Sequence, residues 1–282
     1  MILVTGATGK VGGETVRLVA ADRVPVRAFV RSAEKAEPLA VAGAEIAVGD
    51  LDDAASLEAA LADVTTVVLV TPGDPTQEIS VIDAAVRAGV RHVVYLTSKA
   101  SLDAPIERRR WHAQVEAALA ESGLAHTLLR SNAYMQNTLA LAPVIAATGG
   151  FASSAANGRM GMIDTRDVAA VAATVAANPA SHAGKTHHLT GPAAISYPEV
   201  AQTLAELLSR PVKYEAITSD DERARMIARA VPEPLATMNA QAFTLNATGD
   251  ADWVTDDVAT ITGRSPRTFR AFAIDHLKSF DA

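Results

Sequence analysis

The sequence predicts an α/β fold built on a doubly wound parallel sheet, with a small α/β lobe toward the C-terminus. Two patterns point there: short apolar, β-branched runs alternate with helical stretches over the first 130 residues, and glycines stand where those stretches stop. Composition agrees. Of 282 residues 49% are hydrophobic but only 4% aromatic, so the core is made of Ala, Val and Leu, whose small side chains suit helices packed closely on a sheet.

The first element is a strand, Ile2, Leu3 and Val4, whose unbroken apolar run implies cover on both faces. Val11, Val16, Leu18 and Val19 belong to the helix that follows. Between them lies Gly6-Ala-Thr-Gly-Lys-Val-Gly12. In a strand-to-helix turn Gly6 permits the sharp bend, Gly9 lets backbone approach a pyrophosphate, and Gly12 lets the helix lie close to the strand. Thr8, Lys10 and Val11 complete this dinucleotide-binding loop, and the free N–H groups at the helix start face the phosphates.

Further strands are expected at Val26–Val30, Glu45–Val48, Thr66–Val70, His92–Thr97 and Ala125–Leu129. Helices are expected near 33–42, 54–62, 76–88 and 107–122, with Gly43, Gly89 and Gly123 as stops. This is βαβ winding with a parallel sheet. Residues 1–130 are expected to form the nucleotide-binding core, joined by return segments from about 151 to 190, and residues 131–282 most of an added lobe interwoven with it. In that lobe a helix opens near Asp164–Asp167, and Ser196 with Glu199 reads as a capping box with Pro198 in the first turn. Val212–Ile217, a helix over Asp220–Ala230 and a final helix over Thr268–Phe280 complete it.

The end of the second strand selects the cofactor. An acid there accepts from a ribose 2′-hydroxyl, whereas a 2′-phosphate needs cations. Arg31 follows the strand, Lys35 lies one turn on, and no acid precedes Glu34, a pattern that reads as NADP(H) in preference to NAD(H). The competing reading of Arg31 is a solvated loop residue. Asp50 and Leu51 after the third strand are placed to meet the adenine, although Asp50 fits a simple turn equally well. Thr71, Pro72 and Gly73 end the fourth strand beside the nicotinamide ribose, and Thr97 and Ser98 end the fifth.

Taken together, Gly6 to Gly12, Val30-Arg31, Gly49-Asp50, Asp83-Ala-Ala, Ala88-Gly-Val-Arg-His-Val-Val-Tyr95 and Leu129-Arg130 with Asn132 resemble the NmrA-like atypical short-chain dehydrogenases. Within them the chain is most similar to NAD(P)H:quinone oxidoreductases and triphenylmethane dye reductases. The similarity extends to Val231-Pro-Glu-Pro234 and Thr262-Gly-Arg264. It implies an NADP(H)-binding Rossmann core and a lobe that closes an acceptor cleft. Ser131 departs from the Pro or Asn frequent at its position in that family.

The short-chain dehydrogenase signature Tyr-x-x-x-Lys occurs at Tyr95 and Lys99, but Tyr95 lies in a strand, where four residues span roughly 13 Å. The match is therefore read as accidental. The following helix carries His112 and Glu116 at i, i+4, and the resemblance places a His/Glu pair in this region. His112 is expected to orient the nicotinamide ribose or donate a proton, with Glu116 fixing its tautomer; the alternative is a solvent-facing pair. Asn132 and Tyr134, after the sixth strand, are the remaining candidates, Tyr134 with a catalytic role and Asn132 at the cofactor end. Phe151, Met160 and Met162 are read either as an apolar wall of the acceptor site or as packing.

Lacking a helix-borne tyrosine acid, the chain suits an acceptor that spreads incoming charge itself. The expectation is an NADPH-dependent oxidoreductase reducing a quinone or similar conjugated small molecule; the alternative is a non-catalytic, NADP(H)-sensing regulator of the NmrA kind with a protein partner. Net charge of −7 disfavours nucleic acid, and Arg108-Arg109-Arg110 reads as a solvated helix start. The absence of Cys excludes disulfides and thiolate sites, His187-His188 point to opposite faces and suggest no metal, and no apolar run is long enough for a membrane. A cytoplasmic setting is expected.

Overall fold

Each predicted apolar run becomes a strand, and the helices between them set the winding. In chain order come β1 (Ile2–Val4), α1 (Lys10–Ala21), β2 (Val26–Val30), α2 (Glu37–Val41), β3 (Glu45–Val48), α3 (Ala54–Ala60), β4 (Thr66–Leu69), α4 (Pro75–Arg87), β5 (His92–Thr97), α5 (Glu107–Glu121) and β6 (Ala125–Ser131). There follow α6 (Ala142–Thr148), β7 (Gly150–Ser153), α7 (Thr165–Ala177), β8 (Thr186–Leu189), α8 (Tyr197–Leu208), β9 (Lys213–Ala216), α9 (Ser219–Ala228), α10 (Glu233–Ala247), α11 (Asp257–Thr262), α12 (Phe269–Asp275) and α13 (Leu277–Asp281). The computed structural model describes residues 1–71 and 73–281.

Seven strands form one parallel sheet in the order β3-β2-β1-β4-β5-β6-β8, a Rossmann-like α/β arrangement. Ile2 pairs with Val26 on one side and Thr66 on the other, so the sheet changes its direction of growth at β1 and β4. Strand alternation sorts the core: Ile2 and Val4 join the cluster under α1 and α7, whereas Leu3 joins the one under α3, α4 and α5. Both faces are thus covered, as an all-parallel sheet requires.

A third apolar cluster lies outside the sheet. Phe151 of β7, Tyr197 and Leu204 of α8 and Phe269 and Phe272 of α12 pack together beside the parallel pair β7–β9. The Ser196–Glu199 capping box is present and Asp164 caps α7. Three expectations change. Residues 33–42 give a 3₁₀ turn at Glu34–Ala36 and then the short α2, with Pro38 in its first turn. The final helix breaks at His276 into α12 and α13. The fifteen-residue α10 is unforeseen, because it buries only Ala236 and Ala240 and presents no apolar stripe to read.

Phe272 is fully buried at the centre of the third cluster. Phe272→Ala is expected to cost about 3–5 kcal/mol, the usual range for a buried aromatic, read as a lower urea midpoint. A shift below about 1 kcal/mol would show that this cluster contributes little to holding the fold.

Candidate active site

The site begins where α1 leaves β1. Gly6 has φ of +56°, and a Cβ on it would sit 2.5 Å from the Val70 carbonyl oxygen. At Gly12 a Cβ would run into the backbone of Gly6. Thr5 Oγ1 donates to Val70 O at 2.8 Å and accepts from Val70 N at 2.9 Å, fastening the ends of β1 and β4 to each other. Gly9 caps α1 without a side-chain bond and no acid occupies its first turn. The first N–H groups of α1 therefore remain available to an anion, beside a backbone without side chains. These features fit a dinucleotide pyrophosphate.

Around this loop Thr8 and Lys10 are exposed and Val11 is buried. Arg31 and Lys35 are exposed at the end of β2. Asp50 takes the turn role: its Oδ1 accepts from Asp52 N at 3.1 Å, while its backbone N–H and C=O engage Ser56. Leu51 is half-buried against the core under α3. Pro72 lies outside the described residues.

Beyond the ends of β4, β5 and β6 opens a cleft of about 790 Å³, roofed by α9 and α10. Thr71, Glu78, Thr97, Ser98, His112, Asn132 and Tyr134 line it. A continuous polar chain runs beneath. Thr71 Oγ1 donates to Glu78 Oε1 at 2.5 Å, and the Tyr95 hydroxyl donates to Glu78 Oε2 at 2.8 Å. The Tyr95 oxygen stands 3.5 Å from His112 Nδ1, which meets Thr97 Oγ1 at 2.7 Å. Thr97 donates to Glu116 Oε1 at 3.1 Å, and Arg130 clamps Glu116 at 3.2 and 2.5 Å.

This corrects the expected His112–Glu116 contact: the two meet on Thr97, and Glu116 is paired with Arg130. Thr97 has one proton. Given to the Glu116 carboxylate, it leaves Oγ1 to accept from His112 Nδ1–H, so that both contacts carry a proton. His112 is then neutral with Nε2 as an acceptor. Burial, aided by the charge of Arg108, pushes the imidazole from 6.5 to about 4. Burial also raises the Glu78 carboxyl above its ordinary value, against the hydrogen bonds of Thr71 and Tyr95.

Lys99 points elsewhere, donating to Asp250 at 2.8 Å, so the Tyr95/Lys99 spacing forms no pair. Asn132 lines the cleft with its amide committed, donating to Ala251 O at 3.0 Å and accepting from Ala133 N at 2.7 Å. Tyr134 faces the cleft partly buried, and burial raises its phenol above 10. Phe151, Met160 and Met162 belong to the third apolar cluster and not to the cleft wall. The three arginines are not a solvated helix start: Arg109 chelates Asp250, Arg110 donates to Ala104 O at 2.6 Å, and Arg108 lines the cleft. His187 meets His182 at 3.1 Å, while His188 stacks edge-on against Trp253.

The NmrA-like family model matches residues 1–273. The chain belongs to that family. Among relatives of this NmrA-like chain, an NAD(P)H azoreductase of Xenophilus azovorans is 38% identical over 286 residues, with 100% of each chain covered. The crystal structure of an NADPH-dependent quinone oxidoreductase from Escherichia coli, complexed with NADPH, superposes with a TM-score of 0.90 at 30% identity, covering 99% of this chain and 100% of that one. The NADP(H)-bound triphenylmethane reductase of Citrobacter sp. gives 0.88 at 28% identity, covering 98% and 99%. In the described residues no helix is long and apolar enough to cross a membrane.

Because folding lowers the His112 pKa from 6.5 to about 4, its neutral ring contributes stability above pH 6.5, and that contribution is lost as pH falls through 6.5 toward 4. His112→Gln should flatten the stability decline in this window. Imidazole NMR should find the wild-type proton on Nδ1 and a titration midpoint near 4; a midpoint near 6.5 would overturn the buried, Thr97-bonded placement.

Proposed function

We propose that this chain, an NAD(P)H-dependent oxidoreductase, reduces a quinone or similar conjugated acceptor by hydride transfer, with NADPH as its preferred donor. The observation that carries this reading is the roofed cleft beside the glycine loop: it adjoins the nicotinamide end expected for a dinucleotide lying on α1, and it holds room for a second molecule. A nucleotide sensor needs no such cleft. The relatives named above, which act in NAD(P)H-dependent reductions, support the same reading.

Gly6, Gly9 and Gly12, with Thr8, Lys10 and Val11, form the cradle for the cofactor phosphates, and Arg31 and Lys35 stand as cations at the 2′-phosphate position. Thr71, Thr97, Ser98 and Asn132 border the nicotinamide end, Asn132 by holding the Ala251 backbone in place. When bound, the cofactor supplies the hydride. His112 offers a lone pair at Nε2 and so orients a neighbouring donor group instead of delivering a proton. Tyr134, kept protonated by burial, donates a hydrogen bond to the oxygen of an acceptor. With the Tyr95 hydroxyl turned to Glu78, no committed acid is needed for an acceptor that delocalises the incoming charge. Orientation in the cleft then carries the catalysis, an effect worth roughly 7–11 kcal/mol.

Arg31→Ala should weaken NADPH binding and leave NADH binding nearly unchanged in fluorescence titrations. A charge-assisted contact worth about 1.5–3 kcal/mol corresponds to roughly 10- to 150-fold in Kd. Equal losses for both cofactors would remove Arg31 from the 2′-phosphate site.

The purified protein should oxidise NADPH with simple quinones and not with unactivated ketones. His112→Ala should retain measurable quinone reduction, losing less than the 10²–10⁴-fold typical of a general acid. Tight NADPH binding without reduction of any quinone, dye or azo compound would replace the reductase reading with the sensor.

A further inference from the structure

Three consecutive arginines open α5, and two of them have their charge or donors answered within the protein. Arg109 is held by both oxygens of Asp250, which Lys99 also reaches at 2.8 Å, and Arg110 donates to the carbonyls of Ala104 and Pro105 at 2.6 and 3.1 Å. Arg108 is different. Its one partner among the described residues is Asn239 Oδ1 of α10 at 3.1 Å, and no carboxylate oxygen there lies within 4 Å of it. The guanidinium carries five N–H donors, so most are unused.

This cation is also partly buried. It sits between α5 and α10 on the wall of the cleft, one helical turn before His112, and burial lowers its pKa. A partly buried charge without a counter-ion is less favourable than a paired one, and an anion arriving in the cleft meets unused donors there. The anions lining the cleft are engaged elsewhere: Asp250 by Lys99 and Arg109, Glu78 by Thr71 and Tyr95, Glu222 by Ser154 N at 2.8 Å. A second cation, Arg229, stands exposed at the rim with its Nε on the Arg225 carbonyl at 3.1 Å. The cofactor phosphates do not answer this charge, because their cradle lies at α1 beside β1 and β4, whereas Arg108 faces α10 from α5.

We propose that Arg108 is an anion-recognition subsite of the acceptor cleft, so that the favoured acceptors are conjugated rings bearing a carboxylate, sulfonate or phosphate, which the guanidinium fork meets with two parallel N–H donors. Arg229 at the rim draws the same group inward, screened by salt as exposed charges are. The assignment to an acceptor rests on the reductase reading; the anion subsite itself does not.

The test compares 1,2-naphthoquinone with its 4-sulfonate as acceptors for the NADPH-loaded protein. Wild type should show a KM at least about tenfold lower for the sulfonate, the equivalent of one charge-assisted contact. In Arg108→Met the ratio of the two KM values should collapse toward one, with the ratio of kcat values held; Arg108→Lys should restore part of the preference, having charge without the fork. Separately, calorimetry on the NADP-loaded protein should find naphthalene-2-sulfonate bound more tightly than naphthalene-2-sulfonamide, and the difference lost in Arg108→Met. Turnover of both quinones with a KM ratio insensitive to Arg108 would overturn the subsite and leave the reductase standing. Arg108-dependent sulfonate binding without turnover of either quinone would sustain the subsite and sink the reductase.

Discussion

The structure depends on one close approach. Because neither Gly6 nor Gly12 has room for a side chain, α1 descends onto the end of β1 with its N-terminus aimed across the sheet, and Thr5 locks that end to β4. The position of the helix sets the glycine loop, whose first N–H groups have no side-chain cap; the β1–β4 reversal sets the crevice beside it. A larger residue at position 12 would meet backbone, which cannot move aside as a flexible side chain does. The cleft beyond the ends of β4, β5 and β6 opens beside this fixed corner.

The floor of the cleft is a partly buried hydrogen-bond chain with a carboxylate near each end. Glu78 of α4 receives two hydroxyl protons and Glu116 of α5 a hydroxyl and a guanidinium, supplied by Thr71 after β4, Tyr95 and Thr97 of β5 and Arg130 of β6. Such a network is stiff when satisfied and costly when broken. It fixes the orientation of His112 by way of Thr97, a residue from the strand beneath the helix, and so ties the imidazole to the sheet.

Most of the sheet was legible because its signal is local: apolar runs of three to six residues, and glycines at helix ends. The chain after β6 was less so. Helix α10 hides because its buried face is alanine, which gives little contrast with its other faces. The His112 position was readable from helix spacing, but its true partner was not, since Thr97 is fifteen residues away and meets it only through packing of α5 on β5. Glu78 escaped because an acid near the start of a helix, just after the Asp74 cap, is ordinary there, and burial alone makes it unusual. Phe151, Met160 and Met162 show the converse: apolar character cannot distinguish a cleft wall from a core. The arginine run misled for a related reason, because three like residues in one helical turn face three different environments.

The place of β8 has a bearing on how the chain is made. This strand completes the sheet by pairing Leu128–Ser131 with Thr186–Leu189, and α7, which shares the cluster beneath α1, is likewise synthesised long after it. A nascent chain that has emerged only through β6 therefore has an unpaired sheet edge and one incompletely covered face. Contacts of such long sequence separation slow folding and prolong the exposure of apolar surface. The sheet is therefore complete only when about residue 190 has left the ribosome, so that the edge of β6 stays open while the chain from α6 through α7 is being made.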